Sequence, residues 1–225
     1  MLELGIKFLI SYFIGSLMGA LLVGRFRGGV DIRTLGSGNA GGTNALRTQG
    51  LAFAAAVVII DVVKGVIATA VVPGIDIPLV GTDPQVSRVW LTIVCAAAAV
   101  TGHVWPIWHN FRGGKGAATL IGTLLVLAPG VILPVLLIWS WVFVLSGYVG
   151  LATLSGAMTA PLYLAVTRLP EDQPLFIYCM AMALYLVFSH RSNIARMRAG
   201  TEFRNTRLMV FRRRAAAADD DDTGR

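Results

Sequence analysis

The sequence predicts an all-α polytopic membrane protein of about seven transmembrane helices, with the N-terminus outside and the C-terminus cytoplasmic. Three observations carry that prediction. Apolar residues make up 56% of the 225 and charged residues only 14%, with a mean hydropathy of +0.71, a balance that does not suit a water-facing surface. The apolar residues come in runs close to the roughly 20 that a helix needs to cross a hydrocarbon core of about 30 Å. The basic residues behind the formal charge of +7 sit in blocks between those runs, the placement of cytoplasmic loops rather than of a face that binds nucleic acid.

The first run, 4–23, is preceded by Glu3 and contains Lys7 in place of a basic lead-in, and ends at Arg25 without a small-x-small cleavage site. It is therefore expected to remain as a membrane span rather than to be a signal peptide. Further clear spans are 51–72, 89–108 and 174–189. The region 117–167 is apolar throughout and holds either two long helices or three short ones. Pro129-Gly130 and Gly147-Tyr148-Val149-Gly150 are natural break points that favour three, although the first of these, 117–128, is short for a full crossing.

Charge parity supports the same count. The links 25–50 and 110–116 and the stretch after His190 hold four, two and nine Lys or Arg, whereas the links 73–88 and 168–173 hold one each, beside acids. Placing all three basic segments on one side requires three spans in 117–167, hence seven in total. Cys95 and Cys179 both lie within apolar runs, where a small, weakly polar side chain is ordinary filler.

The stretch "LGSGNAGGTN" has the spacing Gly-x-Gly-x-x-Gly, and Asp61 follows about twenty residues later, as in a dinucleotide-binding turn. That turn requires a buried strand before the glycines and a soluble sheet around them. Here a polar, basic stretch precedes and a membrane span follows, so the reading fails. What remains is a cytoplasmic loop rich in exposed backbone amides and small polar side chains.

Three such segments are expected on the inner side. In "GSGNAGGTNALR", 36–47, eight of twelve residues are Gly, Ser, Thr or Asn. Its glycines let successive N–H groups turn toward an anion, while Ser37, Thr43, Asn44 and Arg47 add donors and a positive charge. In "GHVWPIWHNFRGGKGAAT", 102–119, Gly113, Gly114 and Gly116 surround Lys115 where a new helix begins, so free N–H groups and a helix dipole can meet a phosphate. It is not a Walker A loop, since Gly116 follows the lysine where Ser or Thr is required and His109 stands where the first Gly would be. Trp105 and Trp108 read as headgroup anchors. In "SHRSNIARMRAGTE", 189–202, His190 and Asn193 share a face if the last helix continues. Asp61 and Lys64, at i and i+3 inside the second span, are either a mutual ion pair in the bundle or the floor of the same cavity.

With these segments in order, the chain resembles the bacterial integral-membrane glycerol-3-phosphate acyltransferases that use acyl phosphate as donor. The likeness rests on "GSGNAGGTNALR", on "GHVWP" followed by "FRGGKGAAT", and on "HRSNIARMRAGTE". Gly42 stands where that family more often has Ala, Met18-Gly19 where it tends to Ile-Pro, and Met197 where Leu is usual; all three are packing positions. The resemblance implies a single transmembrane acyltransferase domain over 1–202, followed by a low-complexity tail over 203–225, first basic and then acidic, which is expected to be disordered. It implies Ser37, Arg47, Lys115, His190 and Asn193 as catalytic residues. Gly38, Asn39, Thr43, Asn44, Gly113, Gly114 and Gly116 would bind substrate, and Glu202 would brace the third motif.

The implied reaction moves an acyl chain from acyl phosphate to the 1-hydroxyl of sn-glycerol 3-phosphate, giving lysophosphatidate and phosphate. It needs no cofactor and no metal. The implied partners are both substrates, membrane lipids and an enzyme that forms acyl phosphate, with no nucleic acid; the implied location is a bacterial plasma (inner) membrane, multi-pass, with the site facing the cytoplasm. The hydroxyl proton would go to His190 or to the donor's own phosphate. Ser37 has no base marked beside it in the sequence, so its hydroxyl is read first as a hydrogen-bond donor. The soluble acyltransferase signature of His followed five residues later by Asp is absent, since Trp108, Gly114 and Ala195 follow His103, His109 and His190 at that distance. The rival from another class is a membrane transporter of an organic phosphate anion. It predicts polar residues on both sides of the membrane, whereas the outer links are short and carry little chemistry. A scaffold that recruits anionic lipids through its arginines leaves the glycine motifs unexplained.

Overall fold

The computed structural model describes residues 1–210. Among these, all regular structure is helical: α1 (Leu2–Gly15), α2 (Gly19–Phe26), α3 (Gly42–Gln49), α4 (Leu51–Ala70), α5 (Arg88–Val104), α6 (Ala117–Leu127), α7 (Pro129–Ser146), α8 (Val149–Thr167), α9 (Gln173–Ser189) and α10 (Arg191–Arg198). Four stretches are long and apolar enough to cross a membrane alone: Leu51–Gly74, Arg88–His109, Pro129–Ser146 and Val149–Thr167. The pairs α1–α2 and α9–α10 each add a bent span, and α6 is a shorter apolar helix.

The region 117–167 does divide into three helices, at the expected residues. Pro129 occupies the first turn of α7, where its missing N–H leaves no bond unmade. Gly147 closes α7 in the left-handed conformation, φ +73°, which glycine adopts without strain.

The first span departs from the sequence reading. Residues 4–23 do not form one helix: α1 ends at Gly15, Met18 is extended (φ −87°, ψ 108°), and α2 leaves at 44° to α1. A break frees backbone groups that hydrocarbon cannot solvate, so protein must satisfy them. Here α4 does so. The Lys64 ammonium donates to the Leu17 carbonyl at 2.8 Å, and Asp61 Oδ1 accepts from the Gly19 N–H at 3.3 Å. Asp61 and Lys64 are indeed paired, at 2.9 Å, and the pair also braces the break.

The last helix does not continue through 190–193 either. It bends by 55° at His190, which is the C-cap of α9 and the N-cap of α10. The chain then returns toward the bundle. Within 203–210, the part of the expected disordered tail that is described, Arg204 Nε donates to the Ser146 carbonyl at 2.9 Å, the Asn205 N–H donates to that of Gly147 at 2.9 Å, and Met209 is buried. These backbone acceptors lie at the α7–α8 corner, and they hold the segment in place. The rest of the tail, 211–225, lies outside the described residues.

Small residues set the closest crossings. Gly15 and Gly102 allow α1 and α5 to touch backbone to backbone, and Gly65 and Gly122 do the same for α4 and α6, the usual solution where lipid gives helices no hydrophobic reason to associate. The largest apolar cluster joins α5 through α9, around Val100, Leu124, Leu164 and Leu186. Cys95 and Cys179 are free and buried.

Candidate functional site

The first motif is shaped by one buried amide. Asn44, at the start of α3, accepts the Ser37 N–H on Oδ1 at 2.9 Å and donates through Nδ2 to the carbonyls of Ile32 (2.9 Å) and Leu35 (3.0 Å). Its polar atoms are thus committed to holding the loop, and its expected part in substrate binding is indirect. The loop leaves Ser37, Gly38 and Thr43 exposed and Asn39 half-buried. Arg47 lies on the same side, its guanidinium 4.0 Å from the ring centroid of Phe203.

The second motif folds onto the end of α5. The Gly114 N–H donates to the His103 carbonyl at 3.1 Å. A side chain at Gly114 would collide with the His103 imidazole, and one at Gly113 with the backbone of His103 and Val104. These two glycines are needed for close approach. The turn delivers Lys115 to the cavity, and Ser189 Oγ fixes the turn by donating to the Lys115 carbonyl at 2.9 Å.

The third motif closes the ring. The Lys115 ammonium donates to Asn193 Oδ1, and Asn193 Nδ2 donates to Glu202 Oε1 at 2.7 Å. Glu202 Oε2 pairs with Arg196 Nε at 2.6 Å, so Glu202 fixes Asn193 and Arg196 together. His190 is buried, with Nδ1 2.8 Å from the Leu186 carbonyl. A carbonyl only accepts, so Nδ1 carries the proton and Nε2 the free lone pair.

A cavity of about 170 Å³ is lined by Ser37, Asn39, Thr43, Asn44, Arg47, Lys115, Gly116, His190, Asn193 and Glu202, from all three motifs, and by Asp61 and His103. Gly38, Gly113 and Gly114 do not line it. They border adjoining polar hollows, one of which also has Ser37, Asn39, Lys115, Arg191 and Arg196 in its wall. The main cavity opens into an apolar groove of about 310 Å³ between α6, α7, α8 and α9. Thr43, Val58, Ala117, Ala118, Val149 and Thr153 line both, and the groove continues past Leu124, Trp139, Ala160 and Met182.

The electrostatics suit anions. Burial, reinforced by Arg196 and Arg47, pushes Lys115 down to about 8. Burial also draws Arg47 below its ordinary value, which leaves a guanidinium charged. Among the described residues, no group of three or more His, Cys, Asp or Glu is placed to hold a metal ion.

Two contributors are not singled out from the sequence as site residues. Phe203 has no spacing signal that ties it to Arg47. His103 sits in "GHVWP" and could have been found, since a histidine ending a membrane helix beside a glycine turn is an unusual expense in apolar surroundings.

Comparison with known proteins identifies the family. The glycerol-3-phosphate acyltransferase family model matches residues 5–200. A glycerol-3-phosphate acyltransferase of Synechococcus elongatus is 39% identical over 194 residues, 86% of this chain and 90% of the relative. One of Chlorobium phaeovibrioides is 35% identical over 221 residues, 88% of this chain and 94% of the relative. The crystal structure of PlsY, an integral membrane glycerol 3-phosphate acyltransferase, in its glycerol 3-phosphate form is similar at a TM-score of 0.76 and 28% identity, over 91% of this chain and 96% of that one. Its lysophosphatidic acid form is similar at 0.76 and 29%, over 89% and 94%. The chain belongs to the glycerol-3-phosphate acyltransferase family.

Proposed function

We propose that this protein transfers an acyl chain from acyl phosphate to the 1-hydroxyl of sn-glycerol 3-phosphate, giving lysophosphatidate and phosphate, at the cytoplasmic face of a bacterial inner membrane. The observation that carries the reading is the junction of a polar, cationic cavity with an apolar groove through shared lining residues. A transporter gains nothing from that arrangement. An enzyme joining a phosphorylated polyol to an acyl chain needs it.

Arg47 and Lys115 hold the two phosphate anions against their mutual repulsion, the arginine through its bidentate fork and the lysine as a point charge. Ser37 Oγ and the glycine-turn amides of the first two motifs supply further donors. The acyl tail lies in the groove, which brings the acyl carbonyl to the level of Thr43, Ala117 and Thr153. The 1-hydroxyl oxygen attacks the acyl carbon, and the bond from that carbon to the phosphate oxygen breaks, its electron pair leaving with the phosphate. The donor is a mixed anhydride with a weakly basic leaving group, so proximity and oxyanion stabilisation supply the rate.

Two groups can receive the hydroxyl proton. His190 Nε2 is a neutral acceptor, its partner nitrogen tied to the Leu186 carbonyl, whereas the departing phosphate gains charge as it leaves and has its second ionisation at about 6. The departing phosphate therefore takes the proton, and His190 Nε2 orients the hydroxyl by accepting its hydrogen bond. Acyl phosphate is short-lived in water, which supports a functional link to an enzyme that forms it.

The test is purified protein with acyl phosphate and labelled glycerol 3-phosphate, with no CoA added. Labelled lysophosphatidate is the expected product. Uptake of glycerol 3-phosphate into vesicles without ester formation would favour the transporter.

A further inference from the structure

Asp61 and His103 form the floor of the cavity, and the reaction proposed above uses neither. Asp61 is 1% exposed and His103 3%, yet both line the cavity. Asp61 Oδ1 is committed, to the Lys64 ammonium at 2.9 Å and the Gly19 N–H at 3.3 Å. Among the described residues, Oδ2 has no hydrogen-bond or ion-pair partner.

The other carboxylate lining the cavity, Glu202, has Asn193 on one oxygen and Arg196 on the other. Asp61 Oδ2 is thus the carboxylate oxygen left over in the wall. The surrounding charges explain why it can sit beside anions. Lys64 Nζ has three acceptors for its three protons: the Leu17 carbonyl at 2.8 Å, Asp61 Oδ1, and His103 Nδ1 at 2.8 Å. Accepting from an ammonium leaves His103 Nδ1 without a proton, so the ring is neutral and Nε2–H is its donor. The cluster sums to zero charge and neither attracts nor repels a phosphate at long range.

A carboxylate oxygen cannot accept from a phosphate dianion, but it can accept from a hydroxyl. Glycerol 3-phosphate brings two hydroxyls to a cavity whose buried, uncommitted acceptors among the described residues are His190 Nε2 and Asp61 Oδ2, the other free oxygens of the wall, on Ser37, Asn39 and Thr43, lying on its more exposed side. His190 Nε2 orients the attacking 1-hydroxyl. We propose that Asp61 Oδ2 accepts the hydrogen bond of the 2-hydroxyl, which makes Asp61 the residue that selects a vicinal diol phosphate over a mono-alcohol phosphate. This rests on the reaction proposed above and assigns one substrate contact within it.

The experiment compares kcat/KM for glycerol 3-phosphate with that for 3-hydroxypropyl phosphate, which lacks only the 2-hydroxyl, in wild type and in Asp61→Asn. A hydrogen bond to a charged group predicts a wild-type preference of about ten- to hundredfold. Asp61→Asn keeps Oδ1 for Lys64 and Gly19 and replaces the charged Oδ2 acceptor by a neutral amide that can only donate to the 2-hydroxyl oxygen, so the preference falls by about tenfold, through loss on glycerol 3-phosphate. The double variant Asp61→Asn/Lys64→Gln removes the buried charges together and gives the same fall if the single variant folds poorly. A wild-type ratio near unity, or variants that lose rate equally on both acceptors and keep the wild-type ratio, would overturn the assignment and leave Asp61 as a helix brace. Absence of ester from either acceptor with the wild-type enzyme would sink the reaction itself.

Discussion

Glu3 and Asp61, both buried, each anchor a cluster of charge in this bundle, and the two clusters differ in what they leave over. At the end remote from the cavity, Glu3 Oε1 meets Lys7 Nζ at 2.8 Å and Arg88 Nη1 at 2.6 Å, while Oε2 meets Arg88 Nη2 at 2.9 Å and the Asp83 N–H at 2.8 Å. Lys7 also reaches the Pro73 carbonyl at 2.8 Å. Each carboxylate oxygen has two partners, and the cluster ties the start of α1 to the link before α5 and the end of α4. Beside the cavity, Asp61, Lys64 and His103 are all buried, yet Asp61 Oδ2 and His103 Nε2 remain unused among the described residues. An ionisable residue within a membrane helix is a functional candidate by default. The contrast shows that the useful criterion is leftover bonding capacity facing a cavity. A closed network is a fastening.

The largest effects should come from the cavity cations. Arg47→Ala and Lys115→Ala are each expected to lower kcat/KM by about 10²–10³-fold, the usual loss for one stabilising donor, with the thermal midpoint in detergent close to wild type. An equal loss of midpoint would make these residues fasteners as well and erase the contrast. Next comes Gly114→Ala, whose methyl group meets the His103 ring. Displacing Lys115 by about 1 Å costs up to roughly 10²-fold in rate, and steady-state assays of the folded variant would show it.

The contrast sharpens with pH. Lys115 binds phosphate as the ammonium and loses its proton as pH rises through about 8. KM for glycerol 3-phosphate should therefore climb above that pH, and Lys115→Arg, always charged, should remove the alkaline limb at some cost in turnover. The smallest catalytic effect belongs to Glu3→Gln. It should lower the thermal midpoint, because Lys7 and Arg88 keep only a neutral partner, while kcat/KM of the folded protein stays at the wild-type value. Loss of acyl transfer at temperatures where the variant remains folded would give the remote cluster a function and break the comparison.

What can be read from the sequence follows from whether the cause is local. The breaks at Pro129 and Gly147 are legible because each residue carries its own reason, a missing N–H or a left-handed φ. The three motifs stand out because their residue types are improbable in apolar surroundings, and the fold brings residues of all three to one cavity. The break at Met18 is illegible in residues 4–23, since the groups that stabilise it, Asp61 and Lys64, belong to another helix. The bend at His190 likewise depends on what α10 meets, with Asn193 and Arg196 both drawn to Glu202. Arg47 is legible as a cation but its perch on Phe203 is not, because a cation–π contact across more than a hundred residues leaves no periodicity. Asn44 reads as a ligand for an anion and serves as a brace for the loop; an amide's chemistry is the same in both roles, and only its neighbours decide.

The shortness of α6 sets a depth. Its 11 residues rise about 16 Å, whereas the 18 residues of α7, which start where α6 stops, rise about 27 Å, close to the whole thickness of lipid hydrocarbon at about 30 Å. The head of α6, where Lys115 stands, nevertheless faces Val149 and Gly150, just past the other end of α7, across one cavity. A short helix behind a glycine turn thus sets the lysine at the edge of the apolar groove that α6 itself lines, so that charge and hydrocarbon meet within one residue's reach.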